Sequence, residues 1–294
     1  MQAMILAAGY GTRLHPYTDH RPKPLFPFLN IPLLSLTIKR LQCAGFDHII
    51  VNCHHLRGQI KNLLSDTPGV IVQEENTILG TGGGLRAAYD NFRDEPLLVT
   101  NGDIYHTIDF VWLYEKHFRS GNRISLAVHD YPRFNSLFVE GGYVQRFTGK
   151  SCPDALAFTG IHVIEPEVLH GIAKGKTSCI IDRYKQLLKD KENISAIRID
   201  GQYWSDIGTP ADYLELHGGV LKKEVPCWQE AEALLETPFI IADDAVLGHD
   251  LQTVDWVCIG AAQIGDNVTI SRSVVWDGAV IPDNTEIKDS IVVN

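Results

Sequence analysis

The chain opens with a short apolar run, Met4-Ile5-Leu6-Ala7-Ala8, that stops at two glycines one residue apart, Gly9 and Gly11. An unbroken run of this kind reads as a buried strand, and the glycines end it in a sharp turn. Glycine after a strand lets the backbone approach a ligand closely, with its N–H groups turned toward anionic oxygens. Arg13 then adds a planar fork suited to phosphate, and Lys23 a mobile point charge. Pro22 and Pro24 flank Lys23 and are expected to hold its backbone extended. Strand, glycine turn and two cations together make a candidate phosphate cradle. Two well-known cradles are excluded. A Walker A loop ends in Gly-Lys-Ser/Thr, which does not follow Gly11, and a dinucleotide fingerprint needs glycine where this chain has Leu14.

Beyond this loop, apolar runs alternate with amphipathic stretches. The spacing predicts helices over Leu33–Ala44, Gly58–Leu64, Gly83–Phe92 and Tyr184–Asp190, a helix opening at Pro166, and one running from Pro210 to about Lys223. Strands are expected at Ile49–Val51, Val70–Val72, Leu97–Thr100, Ser125–His129, Ser136–Glu140, Tyr143–Thr148, Ala157–Ile164 and Ala196–Ile199, with Gly141-Gly142 as a tight hairpin. Continuous apolar strands between helices imply an α/β fold whose mostly parallel sheet is covered on both faces. Ligands of such sheets sit outside the carboxyl ends of the strands, where both the glycine loop and Asn101-Gly102-Asp103 fall.

The texture changes near Phe239. Ile259, Ile264, Ile270, Val275, Ile281 and Ile287 recur at intervals near six residues, with Gly, Asp and Asn between them. Short strands turning at that interval resemble the hexapeptide repeat of a left-handed β-helix. Charge divides in the same place. Residues 1–223 carry 24 Lys and Arg against 23 Asp and Glu, whereas residues 224–294 carry 2 against 13. The expected organisation is therefore a domain over 1–223, a linker over 224–238 and a β-helical tail over 239–294. The tail is expected to pack mainly on its own chain, with any homo-oligomer contact made partly through Val275, Trp276 and Ile281. An acidic balance argues against nucleic acid as a partner, which wants a basic surface. No apolar run approaches the roughly 20 residues that span a bilayer, and no basic leader precedes Met4, so a cytoplasmic protein with no membrane partner is expected. The six cysteines are scattered without metal-ligand spacing and read as reduced and packed.

Leu-Ala-Ala-Gly-x-Gly-Thr-Arg-Leu from Leu6 to Leu14, followed by Pro22-Lys23-Pro24, resembles the signature of the sugar-1-phosphate nucleotidylyltransferases. The resemblance spans residues 1–223 strongly and implies a Rossmann-like nucleotidyltransferase fold. It also implies transfer of a nucleotidyl group from an NTP to a sugar-1-phosphate, with release of pyrophosphate. A phosphate monoester is largely dianionic at pH 7, so this chemistry needs no general base. It needs cations and alignment. The resemblance assigns Arg13 to the β- and γ-phosphates and Lys23 to the α-phosphate. Ala8, Gly9, Gly11 and Thr12 become nucleotide-binding residues. Asp103, and Asp206 in Trp-Ser-Asp-Ile-Gly-Thr-Pro, match positions that carry Mg²⁺ in the family, although either aspartate alone also suits a cap or a turn.

Glu75, Gly80 and Thr81 resemble the family's base-recognition segment, and a carboxylate at Glu75 would pair naturally with the N1–H and N2–H₂ donors of guanine. Thr159-Gly160 resembles the backbone that meets sugar hydroxyls. Lys150 is the candidate for the sugar phosphate, although Thr148-Gly149-Lys150-Ser151 stands where relatives carry Glu-Lys-Pro. The leading expectation is a mannose-1-phosphate guanylyltransferase-like enzyme. The alternatives are a uridylyltransferase acting on N-acetylmuramate-1-phosphate or a hexose-1-phosphate, a cytidylyltransferase for phosphocholine-like substrates, and a non-catalytic regulatory subunit.

Overall fold

The computed structural model describes residues 1–235 and 237–294; Glu236, inside the expected linker, lies outside the described residues. The chain divides into two compact units that do not follow chain order. The first comprises Met1–Tyr10, Arg40–Gly102 and Ile108–Trp204, and the second Gly11–Lys39, Asp103–Thr107 and Ser205–Asn294.

The first unit is built on a nine-stranded sheet. Its strands run in the order Val70–Glu74, His48–Cys53, Gln2–Leu6, Leu97–Asn101, Ala157–Ile164, Ile124–His129, Ser195–Arg198, Tyr143–Phe147 and Leu137–Glu140. The first four are mutually parallel, and Ala157–Ile164 enters antiparallel between Leu97–Asn101 and Ile124–His129. Met4, Ile50, Val99, Leu126 and Val128 are buried and join one apolar core with Leu85, Tyr184 and Leu187 from the helices. In the parallel part, Leu6 stands in register with Asn52 on one side and Asn101 on the other. Two asparagines thus flank the end of the first strand, just before the glycine turn.

Three elements differ from the sequence expectation. The helix expected at Gly83–Phe92 begins at Gly80, runs to Ala88 and closes in a 3₁₀ turn at Tyr89–Asn91. Gly80, Gly82 and Gly83 lie so close to the backbone of residues 176–180 that side chains there would collide, and this packing overrides the low helix propensity of glycine. The helix expected at Tyr184–Asp190 is Ile180–Lys189, because Ile180, Tyr184 and Leu187 form one buried stripe. Lys23 is not extended. Pro22 is, but Lys23–Leu25 form a 3₁₀ turn closed by Leu25 N–H to the Pro22 carbonyl at 2.8 Å. Proline fixes only its own φ, near a value that a 3₁₀ turn shares.

In the second unit, Phe239–Ile241, Gln252–Ile259, Thr269–Val275, Glu286–Lys288 and Ile291–Val292 form one parallel sheet, and Val246–Leu247, Gln263–Ile264 and Val280–Ile281 another. Gln252 faces Thr269 and Gln263 faces Val280, so each coil advances 17 residues before stacking on the next. Parallel strands repeated at that offset define a β-helix-like stack around Val257, Ile259, Ile264, Ile270 and Ile281. Three acids cap its corners: Asp277 accepts from Ala261 N–H, Asp283 from Asp266 N–H, and Asp266 from His249 N–H.

The stack packs on residues that precede it in the same unit. The Trp276 ring meets Phe26 at 4.7 Å between centroids, and its indole N–H donates to the Tyr213 hydroxyl at 3.3 Å. Asn30 Nδ2 donates to the Ile259 carbonyl at 2.7 Å. Val275, Trp276 and Ile281 are buried within the chain, so the expected oligomer contact through these three side chains is corrected: their surface is already covered. Replacing Trp276 with alanine is expected to destabilise the protein by about 3–5 kcal/mol through the cavity it leaves. A fall in melting temperature of only a degree or two would contradict this packing role.

Candidate active site

Four of the residues named from the sequence meet in the second unit. Lys23 is almost wholly buried, at 7% side-chain exposure, and its ammonium lies 2.5 Å from Asp103 Oδ2 and 3.2 Å from Asp206 Oδ1. Arg13 reaches the other Asp206 oxygen at 3.2 Å and keeps its remaining face in solvent. A buried ammonium is costly unless it is paired, and here two carboxylates converge on it. The cluster holds two cations and two anions, so its formal charge is zero. An incoming anionic group would unbalance it, and would be compensated if a divalent cation came too.

Local structure explains how four distant residues converge. Gly11 has φ +64°, and a Cβ there would stand 2.9 Å from Thr18 Cγ2 and 3.4 Å from Lys23 Cβ. Glycine is therefore required both for the turn and for the close approach of Lys23. The turn leads into the 3₁₀ segment Thr12–Leu14, which lifts Arg13 outward while burying Leu14. Asp103 follows the strand Leu97–Asn101, and its carbonyl accepts Ile207 N–H at 3.2 Å, which ties it to the Asp206 segment. After Thr209, whose side chain caps the next helix by accepting Asp212 N–H, Pro210–Leu221 carries Tyr213 and His217 back against the Lys23 segment. There the Tyr213 hydroxyl donates to the Pro27 carbonyl, and Leu29 N–H donates to His217 Nε2 at 3.3 Å. Burial lowers the His217 pKa to about 4, which keeps this ring neutral and able to accept.

Among the described residues no three His, Cys, Asp or Glu side chains gather as a metal cluster. Asp103 and Asp206 are nonetheless a pair of hard oxygen donors at one point. That donor set fits Mg²⁺, which takes one or two carboxylates and fills its remaining positions with phosphate oxygens and water.

A second group lies in the first unit. Asn52 is buried, accepts Ala7 N–H at 2.8 Å, and donates to Glu75 Oε1 at 2.7 Å. The other Glu75 oxygen accepts Leu79 N–H at 2.9 Å. Glu75 is 2% exposed, so the expectation that it receives guanine donors is corrected: both of its oxygens brace the loop ahead of Gly80. Gly84 makes the brace feasible, since a Cβ there would stand 2.7 Å from Glu75 Oε1 and 2.8 Å from Asn52 Nδ2. Thr81 is also engaged, its hydroxyl accepting Ile180 N–H at 3.0 Å.

The sugar candidates divide. Thr159 turns its hydroxyl inward, donating to the Ala127 carbonyl at 2.9 Å, while its own carbonyl accepts the Trp204 indole N–H at 3.0 Å. Gly160, at φ +80°, leaves room for the Asn101 amide, which would lie 2.5 Å from a Cβ. Lys150 is exposed on the segment after Tyr143–Phe147, where its carbonyl accepts the Thr148 hydroxyl at 2.6 Å. Sequence reasoning missed Asn52, and named Asn101 only as part of the strand-end stretch Asn101-Gly102-Asp103. Both end an apolar run, Ile-Ile-Val-Asn and Leu-Val-Thr-Asn, at the carboxyl end of a parallel strand. Polar residues in that place were the available signal.

A glycine turn at the end of the first parallel strand, followed by a buried lysine bridged between two aspartates, defines a phosphate-handling α/β protein. The Nucleotidyl transferase family model matches residues 2–223, and the chain belongs to that family. A UTP–glucose-1-phosphate uridylyltransferase from Synechocystis sp. is 31% identical, the match covering 96% of this chain and 82% of that protein. Mannose-1-phosphate guanylyltransferase 1 from Arabidopsis thaliana is 28% identical, over 99% of this chain and 86% of its own. Among solved structures, HddC from Yersinia pseudotuberculosis, crystallised with GMP-PN, superposes with a TM-score of 0.62 at 25% identity, covering 73% of this chain and 96% of that one. The protein is a nucleotidyltransferase of the class that acts on sugar-1-phosphates.

The brace generates its own test. Glu75→Ala would leave Leu79 N–H and the Asn52 amide without acceptors, at a cost of about 1–3 kcal/mol each when buried. Glu75→Gln keeps one carbonyl oxygen and is expected to lose less than half as much, as read by chemical denaturation. Equal losses for the two variants would show that the carboxylate's acceptor role is not what matters.

Proposed function

We propose that the chain catalyses Mg²⁺-dependent guanylyl transfer from GTP to a hexose-1-phosphate of the mannose type, releasing pyrophosphate. The observation that carries the reaction is the Arg13–Lys23–Asp103–Asp206 cluster. It offers cations for phosphoryl oxygens and two carboxylates for a metal, with no nucleophile–base pair, as a reaction with a self-ionised nucleophile requires.

In this reading the sugar phosphate oxygen attacks the α-phosphorus of GTP, and the bond to the pyrophosphate oxygen breaks in line with it. Lys23 lies against the α-phosphate, where negative charge accumulates during transfer, and Arg13 holds the β- and γ-phosphates that leave. Ala8, Gly9, Gly11 and Thr12 supply the turn and its donors. Asp103 and Asp206 would hold Mg²⁺, which would supply positive charge against the phosphate oxygens. Gly80 and Thr81 border the base, with Glu75 and Asn52 as positioning residues behind that loop. Gly160 offers backbone to the sugar hydroxyls, with buried Thr159 as a positioning residue behind it, and Lys150 offers its ammonium to the sugar phosphate.

The base is favoured as guanine by the guanylyltransferase relative and by GMP-PN in HddC, not by Glu75. A second reading, uridylyl transfer to glucose-1-phosphate, is favoured by the 31% identity to the Synechocystis uridylyltransferase. Pyrophosphate release across a panel of NTPs and sugar-1-phosphates separates the two. The highest kcat/KM is expected with GTP and mannose-1-phosphate, and a preference for UTP would select the second reading. Asp103→Ala and Asp206→Ala are each expected to abolish turnover while the protein stays folded. Near wild-type rates at limiting Mg²⁺ in either variant would remove that residue from the metal's site.

A further inference from the structure

The five residues Asp103–Thr107 belong to the second unit, although the chain before and after them belongs to the first. Such an excursion has to be held in place. At its front, Asp103 is tied by Lys23 and by Ile207 N–H. At its rear, beside the sheet pairing of Ile104–His106, one set of contacts comes from a residue beyond the family match, Trp228, in the stretch that reads from sequence as a linker.

Trp228 is 3% exposed. Its indole N–H donates to the His106 carbonyl at 2.6 Å, and its backbone N–H donates to the Tyr105 hydroxyl at 3.0 Å. That hydroxyl in turn donates to the Pro226 carbonyl at 2.8 Å. The Tyr105 and Trp228 rings stack at 4.4 Å with 13° between their planes. Phe28 joins them, 4.8 Å from the Tyr105 ring and 6.3 Å from Trp228. The pile therefore touches both arms of the cluster, the strand Ile104–His106 that follows Asp103 and the short strand Pro27–Phe28 that follows the Lys23 turn. An extended strand has little slack. A displacement at Tyr105 or His106 moves the carboxylate only two or three residues away.

We propose that Trp228 is a positioning residue that sets the separation of Asp103 from Lys23. The proposal rests on the reading that this pair acts in the transfer step. Trp228 touches neither reacting group and acts through the segment it clamps. Misplacement of a catalytic group by an ångström is enough to cost up to about a hundredfold in rate.

Trp228→Phe keeps an aromatic ring and removes the donor to the His106 carbonyl. The full-length variant is expected to remain folded by circular dichroism and to lose about tenfold in kcat, with KM for both substrates changed less than about twofold. Asp103→Asn keeps one side-chain oxygen and is expected to leave a residual rate that single-turnover assays with excess enzyme can read; Trp228→Phe added to that background is expected to cost less than about twofold more, because the group it positions has already been disabled. An unchanged kcat in Trp228→Phe overturns the proposal. So does an equal tenfold loss in both backgrounds, which would make Trp228 a general packing residue. If Trp228→Phe does not fold, Tyr105→Phe, which removes only the bridging hydroxyl, is put through the same cycle with the same outcomes. Asp103→Asn alone separates the two levels of the argument: a wild-type rate there overturns the underlying reading, whereas a large loss beside an unaffected Trp228→Phe overturns only the positioning claim.

Discussion

A buried ammonium held between two carboxylates is the constraint on which the rest of this structure depends. Lys23 has almost no access to water, so Asp103 and Asp206 must reach it or its charge would be uncompensated. Asp103 comes from the end of a sheet strand and Asp206 lies just ahead of the helix Pro210–Leu221, roughly 80 and 180 residues further along the chain. Bringing them together requires the glycine turn at Gly11, the short excursion Asp103–Thr107, and the docking of Tyr213 and His217 against the Lys23 segment. Each is a local device with its own physical cause, and each serves the same three-residue contact.

The acidic tail fits the same account. Nine Asp and Glu against two Lys and Arg over residues 239–294 would be a poor surface for a phosphate enzyme if the charges pointed at its substrates. Asp266, Asp277 and Asp283 are instead occupied with backbone N–H groups of neighbouring coils, one coil to the next. Asp289 and Asp255 are paired with Arg272. The stack then contributes Trp276 to the aromatic group around Phe26, three residues from Lys23. In physical terms the tail is part of the body that carries the cluster, although nothing in its sequence resembles catalytic machinery.

Much of this was legible in the sequence because the relevant signals are local. The apolar run ending at Gly9 and Gly11, the isoleucines and valines at intervals near six, and the cations Arg13 and Lys23 needed no tertiary information, whereas Asp103 and Asp206 were singled out by the family resemblance. What was not legible depends on packing. The helix from Gly80 contains residues that propensity excludes, and it exists because the backbone of residues 176–180 leaves no room for side chains. Glu75 was read as a base-recognition residue because a carboxylate suits guanine. Its two oxygens are claimed by Asn52 and Leu79, partners that lie 23 residues before it and 4 after it, and only the fold brings Asn52 there. Val275, Trp276 and Ile281 were named as part of any subunit contact the tail would make beside packing on its own chain, and their own chain covers them.

The central claim is that Lys23 acts on charge that develops during transfer and not on ground-state binding. The direct measurement is single-turnover nucleotidyl transfer by Lys23→Ala, alongside the affinity for the NTP. The account requires the chemical step to fall by at least about a hundredfold with NTP affinity little changed, because the lost interaction exists chiefly in the transition state. A variant that transfers at the wild-type rate once saturated, with only the affinity reduced, would contradict it.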